Sequence, residues 1–255
     1  MNESVLVIDK TRGPTSFDVV REVRNYVNIK KVGHAGSLDP FATGVLVLLT
    51  GKATKLSNAL LNADKRYIGL LKLGSSTDSM DCTGKVTQEM PVPELSEAQI
   101  DGVLRGFEGE WQQIPPMHSA KKIQGVRLYT LARKNLSVER EPIPVQLFEV
   151  RLLKWESPFI TFEVHCSKGT YIRVLADEIA KRLGTVGHLS ELRRTACGNF
   201  KLSESLTVDA LVKSGADWQK QAYANYRKLL TSEGVIRNSS PHLPTRNNSG
   251  NSLLN

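Results

Sequence analysis

The sequence predicts an α+β fold, and three observations carry that reading. Apolar or alternating runs of strand length are interspersed with segments of helical period, and the two kinds follow no regular βαβ rhythm. The chain of 255 residues, 40% hydrophobic and 24% charged, is long enough to bury one sizeable core. Residues 5–9 read as a short strand, and 10–14 as a polar turn into a helix that Thr15 caps with Asp18 three residues on. Val19, Val23 and Val27 share one face of that helix, leaving Arg21 and Arg24 on the other. Residues 67–73 form a short buried strand. Ser96 and Gln99 make a capping-box pattern for a second helix, whose apolar side is Ile100, Val103, Leu104 and Phe107.

From 112 to 144 the text changes: prolines and basic residues gather around Met117, Ile123 and Tyr129, which predicts a protruding segment. Residues 145–155 and the alternating Ile160, Phe162, Val164 and Cys166 then read as two neighbouring strands. A helix over 171–183 turns Ile172, Leu175, Ala176 and Ile179 inward, and a short helix follows over 208–213. After residue 230 serine, asparagine, proline and glycine take over, so 1–230 is expected to be the folded domain and 231–255 a disordered tail.

Composition bounds the partner class. The formal charge is +8 and the pI about 9.4, with basic pairs between apolar segments: Lys30-Lys31, Lys65-Arg66, Lys121-Lys122, Arg133-Lys134, Lys181-Arg182 and Arg193-Arg194. Such spacing suits a surface that follows a phosphate backbone, although a basic enzyme with another substrate would look the same. Cys82, Cys166 and Cys197 are widely separated and form no C-x-x-C pair, as expected of reduced, mostly buried thiols in the cytoplasm. No apolar run approaches membrane-spanning length, and the five histidines have no metal-site spacing, so neither a membrane nor a metal is expected.

The most informative stretch runs from Gly33 to Gly44, GHAGSLDPFATG, where Asp39 stands in a glycine-rich loop beside basic residues. Gly33, Gly36 and Gly44 free the backbone, and Pro40 fixes the residue after Asp39, so the loop looks built to hold one carboxylate in one orientation. A solvated turn is the plainer reading of a lone G-x-x-D-P. A nucleotide-binding P-loop fails on spacing, because six residues separate Gly44 from Gly51 and Ala53 follows Lys52.

Continued through Val45 to Lys55, this stretch closely resembles the catalytic motif of the TruB-type tRNA pseudouridine synthases. The likeness covers roughly residues 5–200. Lys10 matches the family's N-terminal lysine, with Thr11 where proline is usual. Lys65-Arg66-Tyr67 matches K-R-Y, Pro115 to Lys121 matches P-P-x-x-S-A-x-K, Gly169 to Arg173 matches G-T-Y-I-R, and Leu192-Arg193-Arg194 matches the L-R-R close of the catalytic domain. His118 and Asn135 depart from the family's usual aromatic and glycine.

The resemblance implies a mixed, mainly antiparallel sheet flanked by helices, with 112–144 as an RNA-facing insertion. No PUA RNA-binding domain, which many relatives carry, is expected in the residues after the likeness ends. It implies that uridine 55 in the tRNA T loop is flipped out and isomerised, with Asp39, Tyr171 and Arg173 catalytic: Asp39 the essential carboxylate, Arg173 its cationic partner, Tyr171 the group that removes the C5 proton. Lys10, His34, Tyr67 and Leu192 would bind the substrate, Tyr67 stacking on uracil, Leu192 closing the pocket and His34 filling the vacated space. Read alone, Tyr67 and Leu192 would be core residues and Arg173 an exposed helix start. Backbone contacts to the T loop and stem are expected from Lys30, Lys31, Lys65, Arg66, Lys121, Lys122, Arg193 and Arg194. No cofactor or guide RNA is implied, and a monomer is expected. Two alternatives stay open: a tRNA-folding protein with secondary catalysis, and a guide-directed synthase.

Overall fold

The computed structural model describes residues 3–233 apart from 118, 120, 121, 124, 133–135 and 137. Along the chain come β1 (Ser4–Lys10), α1 (Ser16–Val27), β2 (Val32–His34), β3 (Thr43–Thr50), α2 (Ser57–Asn62), β4 (Lys65–Leu73), β5 (Ser75–Thr77), β6 (Val86–Glu89) and α3 (Glu97–Arg105). They are followed by β7 (Gly109–Gln113), β8 (Lys122–Ile123), β9 (Val126–Arg127), α4 (Leu128–Ala132), β10 (Ile143–Glu156), β11 (Phe159–Cys166), α5 (Ile172–Arg182), β12 (Gly187–Cys197), β13 (Phe200–Lys201), α6 (Val208–Lys213) and α7 (Trp218–Ser232).

One nine-stranded sheet organises the molecule, in the order β1-β3-β12-β4-β11-β10-β7, with β2 beside β3 and β13 beside β12. Every pairing in it is antiparallel except β12 with β3, which run parallel through Arg193–Thr43 and Arg194–Gly44. The mixed, mainly antiparallel sheet expected from the resemblance is therefore present. That parallel contact has a steric cause at Gly44. Its φ is +101°, and a Cβ there would lie 2.2 Å from the Arg194 carbonyl oxygen, so only glycine lets the two strands approach.

Helices cover both faces. On one, Val19, Val20 and Val23 of α1, Ile100 and Leu104 of α3, and Leu175, Ala176 and Ile179 of α5 pack on Leu6, Ile8, Leu46, Leu48, Leu71 and Phe162. On the other, Val5, Val7, Val45, Val47 and Leu49 meet Leu60 of α2, Phe200 and Leu229 of α7. Strand β3 is thus buried on both sides, which is why residues 45–49 are a continuous apolar run rather than an alternating one.

Most expected elements are found. The capping boxes of Thr15 with Asp18 and Ser96 with Gln99 are both formed, the strands over 143–156 and 159–166 pair directly, and α6 occupies the expected residues. Cys166 and Cys197 are buried free thiols and Cys82 is half-buried. The insertion is narrower than expected, because Gln112 and Gln113 belong to β7, and Ile143 and Pro144 to β10. Between them lie the β8–β9 hairpin and α4, while His118, Lys121, Asn135 and the side chain of Lys122 fall outside what the structure describes. The folded region extends through α7 to Ser232, where Leu229 is buried against the sheet, so 230 is not its edge. The remainder of the expected tail, 234–255, is likewise outside the described residues.

Candidate active site

Asp39 sits in the loop between β2 and β3, and its neighbours are held one by one. Lys10, 1% exposed at the end of β1, donates from Nζ to the carbonyls of Thr11 (2.9 Å), Pro40 (3.2 Å) and Ala42 (2.7 Å). The Gly13 amide donates to Pro40 O at 2.8 Å. Arg194, also 1% exposed, donates from Nε to Val45 O (2.6 Å), from Nη2 to Gly36 O (3.2 Å) and from Nη1 to Ser37 O (3.3 Å). Of the three loop glycines, Gly36 and Gly44 adopt positive φ, whereas Gly33 is extended within β2.

Across from the loop, Arg173 enters from the first turn of α5. Its Nε lies 2.9 Å from Asp39 Oδ2 and its Nη2 donates to Oδ1 at 3.2 Å, a two-pronged contact that fixes the carboxylate plane. The Arg173 side chain is 4% exposed and that of Asp39 37%, so one partner is embedded and the other faces an opening. The two residues, 134 apart in sequence, are in contact, and Arg173 is not an exposed helix start.

A second acid shares the arginine. Asp81 Oδ2 lies 3.6 Å from Arg173 Nη1, which also donates to Ser79 O at 3.0 Å. Asp81 Oδ1 in turn accepts from Ser79 Oγ, the Thr83 amide and Thr83 Oγ1. This turn between β5 and β6 is tied to β12, the Leu189 amide donating to Met80 O and the Cys82 amide to Leu189 O. Sequence reading missed Asp81. Its signal was the segment Asp78 to Gly84, rich in turn-forming side chains that bond their own backbone.

The electrostatics refine the expected picture of Asp39. Burial raises its carboxyl above the ordinary range, Arg173 opposes that rise, and the Asp81 carboxylate adds to it. Burial likewise brings the Lys10 ammonium down to about 8 against the pull of Asp39. The Tyr67 phenol, buried on β4, is pushed up to about 12 by burial, with the Arg194 guanidinium opposing. His34 is half-buried on β2 and lowered by burial and by Arg194, and its Nδ1 is buried with no hydrogen-bond partner among the described residues.

Tyr171 is the N-cap of α5 and half-buried. The turn before it is clamped by Gln113 at the end of β7, a second residue sequence reading missed. Its Nε2 donates to Gly169 O at 2.6 Å and its Oε1 accepts from the Tyr171 amide at 3.0 Å. Leu192 lies in β12 opposite Gly69 and is buried in the same apolar cluster as Leu38, Phe41 and Tyr67.

Several expected contacts require correction. Lys10 spends its ammonium on three carbonyls and holds the loop rather than facing the opening. Lys65 is buried, with Nζ donating to the carbonyls of Leu60, Leu61 and Ala63, and Arg194 is buried as described, so neither presents charge to an RNA backbone. Arg193 is committed to Asp9 (2.7 Å) and Thr43, and Arg66 to Glu149 (3.2 Å), though both keep 40% of their side-chain surface. Lys30 and Lys31 are exposed between α1 and β2. Among the described residues no His, Cys, Asp and Glu cluster has the make-up of a metal site.

Comparison with known proteins places this geometry. Residues 24–172 match the family model described as TruB family pseudouridylate synthase, N-terminal domain, and 173–232 match that of the tRNA pseudouridylate synthase B C-terminal domain. The tRNA pseudouridine synthase B of Opitutus terrae is 46% identical over 209 residues, covering 82% of this chain and 87% of its own. That of Chlamydia pneumoniae is 47% identical over 213 residues, covering 83% and 89%. Among solved structures, a Cbf5-Nop10-Gar1 complex matches with TM-score 0.67 and 32% identity over 89% of this chain. An H/ACA RNP bound to a substrate RNA containing 2'-deoxyuridine matches with TM-score 0.64 and 30% identity, and this chain spans 58% and 57% of the matched chains' lengths. Matches that together run from 24 to 232, across a loop that presents one carboxylate to one buried arginine, lead to a single conclusion: the chain belongs to the TruB family of pseudouridylate synthases.

Proposed function

We propose that this protein converts uridine 55 of tRNA to pseudouridine, with Asp39 as the reacting carboxylate. The observation that carries the reading is the two-pronged Asp39–Arg173 contact, in which the acid keeps an open side and the base does not. The reaction breaks the bond from ribose C1' to uracil N1, forms a bond from C1' to C5, and moves a proton from C5 so that N1 ends protonated. Atoms and electrons balance within the nucleotide. Whether a carboxylate attacks C1' or removes a sugar proton, it acts ionised, and Arg173, with a smaller part from Lys10, favours that form.

Tyr67 has a phenol held protonated by burial, which suits a stacking surface rather than a base. Tyr171, set by Gln113 at the start of α5, takes the C5 proton in this reading, Leu192 closes the apolar side and His34 supports the emptied stack. Among the described side chains Lys30, Lys31, Arg66 and Arg193 remain, with Lys121 and Lys122 outside them, to meet phosphates of the T loop and stem, a contribution that falls with salt. We read the enzyme as a monomer working in the cytoplasm, where its tRNA is. No helix among the described residues is long and apolar enough to cross a membrane.

The relatives named for tRNA are 46–47% identical to this chain, against 30–32% for the chains of the Cbf5 and H/ACA RNP complexes, which favours selection of the uridine by the protein itself. The test is tritium release from unmodified tRNA transcript labelled at uracil C5. Release by wild type, none by Asp39→Asn, and none from a transcript with cytidine at position 55 are expected. Binding of tRNA without release by wild type would replace this reading with that of an RNA-folding protein.

A further inference from the structure

We propose that Ser16 is a positioning residue for Asp39, holding the peptide from which that carboxylate is aimed; the inference rests on the reading of Asp39 as the reacting acid. Ser16 is the first residue of α1 and is 3% exposed. Its hydroxyl accepts from the Leu38 amide at 2.8 Å and donates to the Leu38 carbonyl at 3.1 Å. A single side chain thus satisfies both backbone groups of the residue before Asp39, as a neighbouring strand would in a ladder. No strand does so here, because the loop from 35 to 42 lies between β2 and β3.

The consequence is geometric. The Leu38 carbonyl belongs to the same planar peptide as the Asp39 nitrogen, so fixing that oxygen fixes the plane from which the Asp39 side chain departs. On the far side, Pro40 is held by Gly13 and Lys10, and the Ala42 amide donates to Asp39 O at 3.1 Å. Upstream, Arg194 holds Gly36 and Ser37. Ser16 closes the remaining gap in this sequence of anchors. Its own position is rigid, since α1 carries a complete capping box at Thr15 and buries Val19, Val20 and Val23 in the core.

Three charged groups face the Asp39 carboxylate: Arg173 of α5, Asp81 from the turn between β5 and β6, and Lys10 of β1. A loosened Leu38 peptide lets the carboxylate drift from Arg173, whose attraction favours its ionised form. The inference therefore predicts a kinetic signature as well as a loss of rate.

The experiment uses the full chain and tRNA transcript, measuring the single-turnover rate from pH 4.5 to 8, tRNA affinity and melting temperature for wild type, Ser16→Ala and Asp39→Asn. For Ser16→Ala the rate is expected to fall about 10- to 100-fold, the cost of a misplacement near 1 Å. Its tRNA affinity should stay within about twofold of wild type, and the acid limb of its rate profile should move to higher pH as Arg173 loses hold. A rate within about twofold of wild type would overturn the proposal. So would a loss of rate that follows melting temperature and leaves the acid limb unmoved, which is the mark of a purely structural hydroxyl. Substantial turnover by Asp39→Asn would instead remove the reading on which the inference stands.

Discussion

Arg194 offers the sharpest test of the geometry, because its sequence and its structure suggest opposite behaviours. In an Arg193-Arg194 pair it resembles a phosphate contact; in the fold it is 1% exposed and bonds the carbonyls of Val45, Gly36 and Ser37. Arg194→Met keeps the apolar stem and leaves the buried carbonyl of Val45 and the part-buried carbonyls of Gly36 and Ser37 without this donor. Each hydrogen bond to a charged group contributes about 1.5–3 kcal/mol, and the cost of burying the guanidinium offsets part of their sum. A net loss of about 4 kcal/mol is expected, which for a domain of this size lowers the melting temperature by about 8–16 °C. Arg194→Lys, with one compact ammonium in place of the fork, should fall between. Scanning calorimetry reads the first effect, and tRNA affinity against salt reads the alternative. A surface phosphate contact would leave the melting temperature within about 2 °C of wild type and reduce the salt slope by about one when removed. That pair of results for Arg194→Met would refute the assignment.

Two further outcomes follow from the burial pattern. Because the fold raises the Asp39 carboxyl, the folded state holds that proton more tightly than the unfolded chain, and ionised Asp39 opposes folding at neutral pH. Asp39→Asn should then melt no lower than wild type at pH 7, with any advantage shrinking as acid protonates the wild-type group, whereas a clear drop in melting temperature at pH 7 would contradict that sign. Leu229→Ala, at the packed end of α7, should destabilise by about 2–5 kcal/mol, and an unchanged denaturant midpoint would show that α7 is not part of the cooperative unit.

Local signals in the sequence were legible where one side of an element stays wet. Capping boxes and a single apolar face marked α1 and α3, and alternation marked β11. The strand β3 was not assigned because both its faces are covered, which erases alternation. Strand β12 hid behind its own composition, carrying His188 and Arg194 inward among apolar residues. In α7 the buried Asn225, donating to Val5 O, interrupts the stripe made by Trp218, Ala222 and Leu229. The Asp39–Arg173 pair was reached only through family motifs, since no local pattern links residues 134 apart. Asp81 and Gln113 act through what they hold, and a contact with an arginine or a backbone turn leaves no periodic trace.

The order β3-β12-β4 sets a timetable for synthesis. Strand β12 separates two strands made long before it, so a nascent chain that ends at residue 172 owns two part-sheets, each with a bare edge where β12 will later dock. Such edges invite pairing with other chains. The boundary between the two matched family segments is therefore no seam at which the protein can be divided, because Asp39 lies before it and Arg173 just after. Residues 187–197 must therefore be made before the part-sheet that carries the Asp39 loop can be joined through β12 to the one built on β4.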